Sequence, residues 1–402
     1  MDINSPDFLR DPYPTLARLR SNCPVQPLTD RKGRTSYLVL GYAEARQALA
    51  DPRLSKDTSA FFASRPSGRT LHPALSRTML ATDPPDHTRL RRLATSAFTT
   101  GAVARLRPAI SRITSDLLDQ WPVDGEVDAV ETLAVPLPVT VICEMLGVPG
   151  EDRGKVRAWS LALFAAGNPA DTDAASHELA AYLARLIDAK RTVPGDSLLD
   201  ALIAARDEAD RLTESELVSL AALLLMAGHE TTTSFLGNAL LALLDHPAEL
   251  DRLRARPELL PDSLDELLRF DSPVAQATFR YTTEDVDLGG TVVPAGSPVL
   301  VSPGAANRDP LRFPEPDDLD LGRDASGHLS FGHGIHRCLG APLARAEAEI
   351  ALGQLITRFP DMRVAVPRDQ LAWRPTRLVR ALVTLPLTLG NAPTIRRRRA
   401  EV

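Results

Sequence analysis

The segment from Phe331 to Gly340, which reads F-G-H-G-I-H-R-C-L-G, surrounds one cysteine with glycines. Glycine lets the backbone approach a flat ligand closely and take positive φ angles where these are needed. The residues after Cys338 are predicted to be helical, so its sulfur would lie at a helix N-terminus, where free N–H groups and the dipole favour a thiolate. An anionic iron ligand requires this environment, and thiolate ligation of iron favours cleavage of the O–O bond in bound oxygen. The alternative is a buried structural cysteine, which is our interpretation of Cys143.

A second segment, Leu223 to Thr233, interrupts an apolar helical run with polar residues and reads L-L-L-M-A-G-H-E-T-T-T. Buried polar groups cost free energy unless they are paired. The hydroxyl of Thr231 can donate to the carbonyl of Ala227, which would loosen the helix next to Gly228. We therefore expect a local opening that holds oxygen and water. A kinked helix packed in a core is the alternative.

The two segments resemble the signatures of the cytochrome P-450 superfamily of haem-thiolate monooxygenases, and the resemblance covers essentially the whole chain. The pattern F-x-x-G-x-x-x-C-x-G matches at Phe331, Gly334, Cys338 and Gly340, and the pattern A/G-G-x-D/E-T-T/S matches at Ala227, Gly228, Glu230, Thr231 and Thr232. The resemblance implies a haem b cofactor with Cys338 as the axial ligand of its iron. It also implies that the haem is bordered by Phe331, Gly332, Gly340, Ala227 and Gly228.

The same resemblance assigns roles in catalysis and predicts a fold. Thr231 would support the activation of O2, and Glu230 would belong to the chain of groups that delivers protons. The implied fold is mainly α with small β-sheets (α+β), in a single compact domain over residues 1–402. We expect a short disordered tail at about 391–402.

Glu266 and Arg269 lie three residues apart in D-E-L-L-R-F and therefore share one face of a predicted helix. An exposed pair of this kind contributes little to stability. The resemblance implies instead that the pair supports the haem-binding core. The family completes this network with an arginine at the position where this chain has Asp318, so Arg323 or Arg308 could substitute.

Haem carries two propionates, which need cations when they are buried. The resemblance places these cations at His87 and Arg91 in D-H-T-R-L-R, at Arg280 in T-F-R-Y, and at His336 two residues before the cysteine. Each of the four, taken alone, also fits an ordinary surface residue.

Substrate contacts in the family come from loops and from one face of the interrupted helix. By position, the candidates in this chain are Phe61, Phe62, Leu163, Met226, Val274, Thr278 and Arg377. Such a lining predicts a large, mainly apolar substrate with a few oxygens. The chain most closely resembles actinobacterial enzymes of secondary metabolism that hydroxylate or epoxidise macrolides and other polyketides. Relatives that hydroxylate sterol-like molecules carry nearly the same signals, so a sterol-like or xenobiotic substrate is the alternative.

The expected reaction inserts one oxygen atom from O2 into the substrate, with electrons from NAD(P)H delivered by a separate ferredoxin and ferredoxin reductase. A peroxide-driven peroxygenase of the same fold is disfavoured, because such relatives replace the acid–alcohol pair that Glu230 and Thr231 preserve here. A non-catalytic haem sensor or carrier-recognition domain is expected to lose the cysteine or the threonine, and this chain retains both.

Apolar residues at three-to-four spacing predict the helices that must position these groups. The predicted helices are Arg105–Gln120, Ala174–Arg191, Leu198–Asp207, Glu214–Leu244 and Ser263–Phe270, and the predicted strands are Tyr37–Leu40, Thr291–Val293, Pro298–Ser302 and Leu378–Leu385. Thr213 followed by Glu216 predicts a capping box. Residues 305–329 show little periodicity, and a long irregular segment of this kind usually has a functional reason.

Bulk composition limits the possible classes of protein. Of 402 residues, 44% are hydrophobic, which allows a large core, and the net charge of −6 argues against nucleic-acid binding. Three scattered cysteines make a disulfide framework improbable and indicate a reducing cytoplasm. No stretch is apolar enough for a signal peptide or a membrane anchor, and we expect a monomer.

Overall fold

The structure is a computed structural model that describes residues 5–30, 33–63, 70–164, 168–207 and 212–390. The tail predicted at 391–402 lies outside the described residues. Within the described ranges, no helix combines the length and the apolar character that crossing a bilayer would demand.

Helices make up most of the described chain. They are α1 (Pro6–Arg10), α2 (Tyr13–Asn22), α3 (Tyr42–Ala50), α4 (Thr58–Ala63), α5 (Pro73–Ser76), α6 (Asp86–Thr95), α7 (Thr100–Leu118), α8 (Pro136–Leu146), α9 (Arg153–Phe164), α10 (Pro169–Thr192), α11 (Leu198–Asp207), α12 (Glu214–Ala227), α13 (Glu230–Asp245), α14 (Pro247–Ala255), α15 (Leu260–Phe270), α16 (Pro303–Ala306) and α17 (Ala341–Arg358). The predicted fold class, mainly α with small sheets, is confirmed.

Capping residues set where several helices begin. The capping box at Thr213 and Glu216 forms as predicted and starts α12. Helix α10 starts earlier than predicted because the side chain of Asn168 accepts a hydrogen bond from the first turn. Helix α11 has the predicted bounds. The single helix predicted over 214–244 is two helices, α12 and α13, since the regular helix is interrupted at Gly228 and His229 and the backbone of His229 leaves helical geometry.

The strands are short and form small sheets. They are β1 (Val25–Thr29), β2 (Thr35–Val39), β3 (Leu54–Ser55), β4 (Gly125–Asp128), β5 (Arg280–Thr282), β6 (Val286–Leu288), β7 (Thr291–Val293), β8 (Pro298–Val301), β9 (Arg363–Val364) and β10 (Pro386–Leu389). The strand orders are β1-β2-β8-β5-β3, β4-β10-β9 and β6-β7. Strands β2 and β8 are parallel, with Tyr37 opposite Val299, and the other pairs are antiparallel.

The strand predicted at Leu378–Leu385 is wrong. This segment makes only isolated bridges, Val274 with Val379 and Trp373 with Leu382, and the regular strand begins at Pro386. Its backbone groups bond to several different segments in turn, so no continuous ladder forms.

The main hydrophobic core lies among the long helices. Helices α7, α8, α10, α12, α13, α15 and α17 all contribute fully buried aliphatic side chains to it. A smaller apolar cluster packs the five-stranded sheet against α3. The irregular segment predicted at 305–329 is present as a series of turns after α16, and it leads into the cysteine loop before α17.

Candidate active site

The cysteine loop is closed by backbone geometry that requires glycine. The N–H of Cys338 donates to the carbonyl of Phe331 at 2.8 Å. Gly332 and Gly334 have φ angles of +71° and +73°. A Cβ on Gly334 would lie 2.8 Å from the carbonyl oxygen of Leu49, so the loop can pass over the end of α3 only with glycine at this position.

The sulfur of Cys338 lies on the wall of a cavity. It is accessible from the cavity, although protein surrounds it almost completely. Burial is the largest influence and raises the pKa of the thiol. The N–H groups of Gly340 and Ala341, together with the charges of Arg91 and Arg337, partly oppose this rise. The expected helix-end stabilisation of the thiolate is therefore present, but burial outweighs it. A coordinated cation would supply the remaining stabilisation of the thiolate.

The cavity encloses about 1440 Å³, including space open to solvent. Its polar and charged lining includes His87, Arg91, Thr231, Thr232, Thr278, Arg280, Ser330, His336, Arg337 and Cys338. Its apolar lining includes Leu49, Met79, Leu80, Phe98, Leu223, Leu224, Ala227, Phe235, Leu268, Val274, Ala277, Phe331, Leu339 and Leu343. Gly228, Gly332 and Gly340 also border it. All ten residues predicted to contact the cofactor thus lie on one cavity.

The break between α12 and α13 lies on the wall of this cavity. A Cβ on Gly228 would approach the carbonyl oxygen of Leu224 to 2.7 Å and the side chain of Ile142 to 2.9 Å. The hydroxyl of Thr231 donates to the carbonyl of Ala227 at 3.4 Å, which is a long hydrogen bond. The loosening predicted from the sequence is therefore a full interruption of the helix.

Glu230 is buried beside the cavity and is not part of its lining. Its Oε2 accepts a hydrogen bond from Nη1 of Arg374 at 2.7 Å. Its Oε1 lies 3.9 Å from Nε2 of His229, a buried atom without a hydrogen-bond partner in the described structure. Burial lowers the pKa of His229, so this imidazole is neutral near pH 7. One arginine, Arg374, therefore fixes the position of the Glu230 carboxylate next to Thr231.

A group of basic residues lies around the cavity, and Asp83 is the carboxylate that acts on several of them. The rings of His87 and His336 lie 4.1 Å apart between their centroids. Burial, followed by the charges of Lys56, His87, Arg280 and Arg91, lowers the pKa of His336 to about 2. Nδ1 of His87 and Nε2 of His336 are buried and have no hydrogen-bond partner in the described structure. These orphaned ring nitrogens and uncompensated cations fit a ligand that carries two carboxylates, as haem does.

The helix pair forms a buried network. Nε and Nη2 of Arg269 donate to the carboxylate of Glu266 at 2.6 and 2.8 Å, and both side chains are fully buried. Of the two arginines considered as the third partner, Arg323 reaches Glu266 at 3.2 Å. Arg308 instead donates to the carbonyl of Phe270 and pairs with an exposed aspartate. The network joins α15 to the irregular segment that precedes the cysteine loop.

The predicted substrate contacts are only partly brought together. Val274 and Thr278 line the cavity. Leu163 and Met226 are half-buried against the main hydrophobic core, and neither lines the cavity. Arg377 lies on a second cavity between the N-terminal helices and residues 373–381.

The two phenylalanines predicted to touch substrate belong to an aromatic cluster outside the cavity lining. The centroid of the Phe61 ring lies 4.9 Å from those of Phe279 and Tyr281. The ring of Phe62 stacks on Phe279 at 5.8 Å. This cluster packs α4 against strand β5.

Sequence reasoning missed three charged residues, of which Glu347 and Lys56 are buried and Arg374 is half-buried. Arg374 holds Glu230 across 144 positions of the chain, and no local pattern reveals this contact. Glu347 follows the buried Leu343 by four positions on α17, which is the spacing of a buried helix face and could have revealed it. Lys56 is one of only four lysines in the chain and is 2% exposed.

Comparisons with known proteins point to one family. The family model for cytochrome P-450 matches residues 172–370. The cytochrome P-450 monooxygenase PikC of Streptomyces venezuelae is 47% identical over 384 residues, covering 95% of this chain and 92% of PikC. Vitamin D(3) 25-hydroxylase of Pseudonocardia autotrophica is 46% identical over 391 residues, covering 97% of this chain and 96% of the hydroxylase. The tirandamycin C-bound monooxygenase TamI superposes with a TM-score of 0.90 at 45% identity, covering 96% of this chain and 99% of TamI.

Proposed function

Since the chain belongs to the cytochrome P-450 family of monooxygenases, we propose that it hydroxylates or epoxidises a large, mainly apolar natural product of the macrolide or related polyketide class. The observation that carries this proposal is the cavity. It brings together an aliphatic wall, the cysteine of the loop before α17 and the threonine beside the helix break, and its volume of about 1440 Å³ includes the room for haem and the space open to solvent. Relatives named for mycinamicin IV hydroxylation and epoxidation, and for polyketide biosynthesis, support the substrate class.

The residues of the cavity fit the cofactor that the family uses. Haem, when bound, supplies the activation of O2 by reducing equivalents. We assign Cys338 as the ligand of its iron, and we assign His87, Arg91, Arg280 and His336 as the partners of its propionates. The two arginines would pair with carboxylates that are costly to bury unpaired, and the two imidazoles could donate hydrogen bonds to them.

Thr231 and Glu230 are assigned to proton delivery. The Thr231 hydroxyl lies on the cavity wall and donates only a long hydrogen bond to Ala227, so it can turn toward the cavity. Glu230 provides an ionisable group one residue away, and its pairing with Arg374 fixes the carboxylate in place.

Electrons are proposed to come from NAD(P)H through a separate ferredoxin and ferredoxin reductase. Turnover should require all three, and hydrogen peroxide alone should give little product because the acid–alcohol pair is retained. Turnover with peroxide at the rate of the complete electron-transfer system would favour a peroxygenase instead.

The ligand assignment is tested by the spectrum of the reduced protein with carbon monoxide. We expect a strongly red-shifted Soret band, which Cys338→Ser should abolish and Cys23→Ser, a substitution at a half-buried cysteine outside the cavity, should leave unchanged. An ordinary Soret position in freshly purified wild-type protein would refute the assignment.

The substrate class is tested with a panel of macrolides, other polyketides, secosteroids and fatty acids. Substrates should shift the ferric spectrum toward high spin and should be converted when redox partners are present, with products identified by mass spectrometry and NMR. We expect the largest shifts and turnover within the polyketide group. Turnover of sterols or fatty acids with no turnover of any polyketide would overturn the substrate class and leave the haem-thiolate chemistry intact.

A sterol-like substrate is the second candidate. The observation that favours it is the 46% identity to vitamin D(3) 25-hydroxylase over almost the whole chain. The secosteroid arm of the panel decides between the two.

A further inference from the structure

Lys56 is a buried cation that none of the assigned roles uses. It lies between β3 and α4, and its side chain is almost completely inaccessible to solvent. Nζ donates to Oγ1 of Thr278, a residue of the cavity lining. Lys56 forms no salt bridge with a carboxylate of the described residues, although burying an unpaired ammonium is costly.

The nearest carboxylate is already engaged by other donors. Asp83 accepts hydrogen bonds from the hydroxyl of Ser55 at 2.5 Å and from the backbone N–H of Lys56 at 3.1 and 3.2 Å. Burial and then the charge of Arg280 lower the pKa of Lys56 well below its usual range, and Asp83 only partly opposes this. Burial and the neighbouring Arg280 therefore both disfavour the charged ammonium, and a further anion beside it would favour the charged form.

The charges around this part of the cavity do not balance. Among the described residues, Lys56, Arg91, Arg280 and Arg337 form no salt bridge with a carboxylate. Asp83 acts on Lys56 and Arg280, and Cys338 acts on Arg91. Positive charge therefore exceeds negative charge at this part of the cavity, and a ligand with two carboxylates would offset the excess.

We propose that the ammonium of Lys56 completes a site for two carboxylate groups at this part of the cavity, and that the two propionates of haem occupy it. This inference rests on the proposed haem-dependent function. It adds a fifth basic residue, from the segment between β3 and α4, to the four already assigned. A free carboxylate on a substrate has the same chemistry, but a single one would offset less of the excess positive charge.

The test compares Lys56→Met, which removes the charge at similar volume, with Lys56→Arg, which keeps it. Each purified holoenzyme is mixed with excess apomyoglobin, and transfer of haem is followed by absorbance. We expect about tenfold or faster release from Lys56→Met, because a buried charged hydrogen-bond partner is lost. Lys56→Arg should stay close to wild type. Lys190→Met, which breaks a pair with Asp200 outside the cavity lining, should leave haem release unchanged.

Haem dimethyl ester separates charge pairing from packing. Protein reconstituted with the ester, which has no propionate charge, should release it at the same rate from wild type and from Lys56→Met. Equal release of native haem from both proteins, or equal acceleration for haem and ester, would overturn the proposal.

A third measurement uses the apoprotein. Because the variant removes an uncompensated buried charge, Lys56→Met apoprotein should resist urea better than wild-type apoprotein, although it holds haem less tightly. Lower stability of the variant apoprotein would indicate a packing role and refute the proposal.

A final arm distinguishes a substrate carboxylate from a propionate. Binding of a long-chain fatty acid and of its methyl ester is measured by the ferric spin shift. If Lys56→Met weakens binding of the acid alone while haem release is unchanged, the anion is a substrate carboxylate and the propionate assignment is wrong. A wrong polyketide substrate class would leave the haem-release results unaffected, so the two failures are distinguishable.

Discussion

At the scale of single residues, Thr231 and Thr233 offer a matched pair of hydroxyls. Thr231 lines the cavity, whereas Thr233 is buried in α13 two residues later and does not line it. If Thr231 passes protons, Thr231→Ala should keep its haem and bind substrate but lower product per NAD(P)H by about 10²-fold. The missing reducing equivalents should appear as hydrogen peroxide, measured alongside product.

Thr233→Ala controls for the loss of a hydroxyl from the same helix and should retain wild-type coupling. Wild-type coupling in Thr231→Ala would exclude that residue from proton delivery in this enzyme.

Glu347 provides a second prediction at this scale, concerning stability and pH. Burial raises its pKa well above the usual value, and its Oε2 has no hydrogen-bond partner in the described structure. The folded protein therefore keeps this proton at pH values where the unfolded chain has lost it. The stability contributed by Glu347 is fully present below its unfolded pKa of 4.5 and is lost as pH rises toward the folded pKa.

Glu347→Gln removes this titration. Its free energy of unfolding relative to wild type should rise by up to about 1.4 kcal/mol for each pH unit above 4.5. Urea unfolding at pH 5, 6.5 and 8 measures the difference. Glu349→Gln, a partly exposed position on the same helix, controls for loss of a carboxylate from α17. A difference between Glu347→Gln and wild type that stays constant with pH would contradict the assignment of a protonated Glu347.

At the scale of elements, the break between α12 and α13 depends on space at one glycine. The backbone of Gly228 is in an ordinary helical region, so its lack of a side chain matters because a Cβ would meet Leu224 and Ile142. Gly228→Ala should therefore cost about 1–3 kcal/mol of unfolding free energy through overpacking.

Gly237 in α13 is the matched control. A Cβ there meets nothing closer than 3.8 Å, so Gly237→Ala should be neutral or stabilise by up to about 1 kcal/mol through helix propensity. Chemical denaturation gives the free energy of unfolding of both variants. Equal changes for Gly228→Ala and Gly237→Ala would show that the residues around Gly228 move enough to accommodate a Cβ.

Elements with local signals were predictable from the sequence, and contacts between distant segments were not. The bounds of α11 and the cap of α12 follow from periodicity and from Thr213, and the weakness at Gly228 follows from the polar residues after it. The cysteine loop was predictable because its glycines and cysteine are consecutive. Arg374 and Lys56 were not, since their partners lie 144 and 222 positions away. Phe61 and Phe62 were assigned by position, but their packing is decided by Phe279 and Tyr281.

At the scale of the whole molecule, the Glu266–Arg269 pair connects the helical core to the turns that precede the cysteine loop. Nη1 of Arg269 also donates to the carbonyls of Asn307 and Pro316, at 3.0 and 2.8 Å. Glu266→Ala would leave the Arg269 cation buried with only carbonyl partners and should cost about 3–5 kcal/mol. Urea unfolding and the haem content of the purified protein measure the effect.

Arg107→Ala is the control, because the Arg107–Glu349 pair between α7 and α17 is partly exposed. Its loss should cost no more than about 1 kcal/mol. Similar losses of unfolding free energy for Glu266→Ala and Arg107→Ala would show that breaking the buried Glu266–Arg269 pair is no more destabilising than breaking an exposed pair.

The uncompensated positive charge around Lys56, Arg91 and Arg280 also bears on how the enzyme matures. A concave, positively charged site attracts a dianion before contact, so capture of the cofactor by the newly made chain should be steered by long-range electrostatics. Added salt screens that attraction over about 10 Å at 0.1 M ionic strength. Uptake of haem by the apoprotein, followed by stopped flow, should therefore slow as salt rises, whereas uptake of the uncharged dimethyl ester should not. The charge that holds the cofactor in the finished protein would thus also set the rate of its assembly.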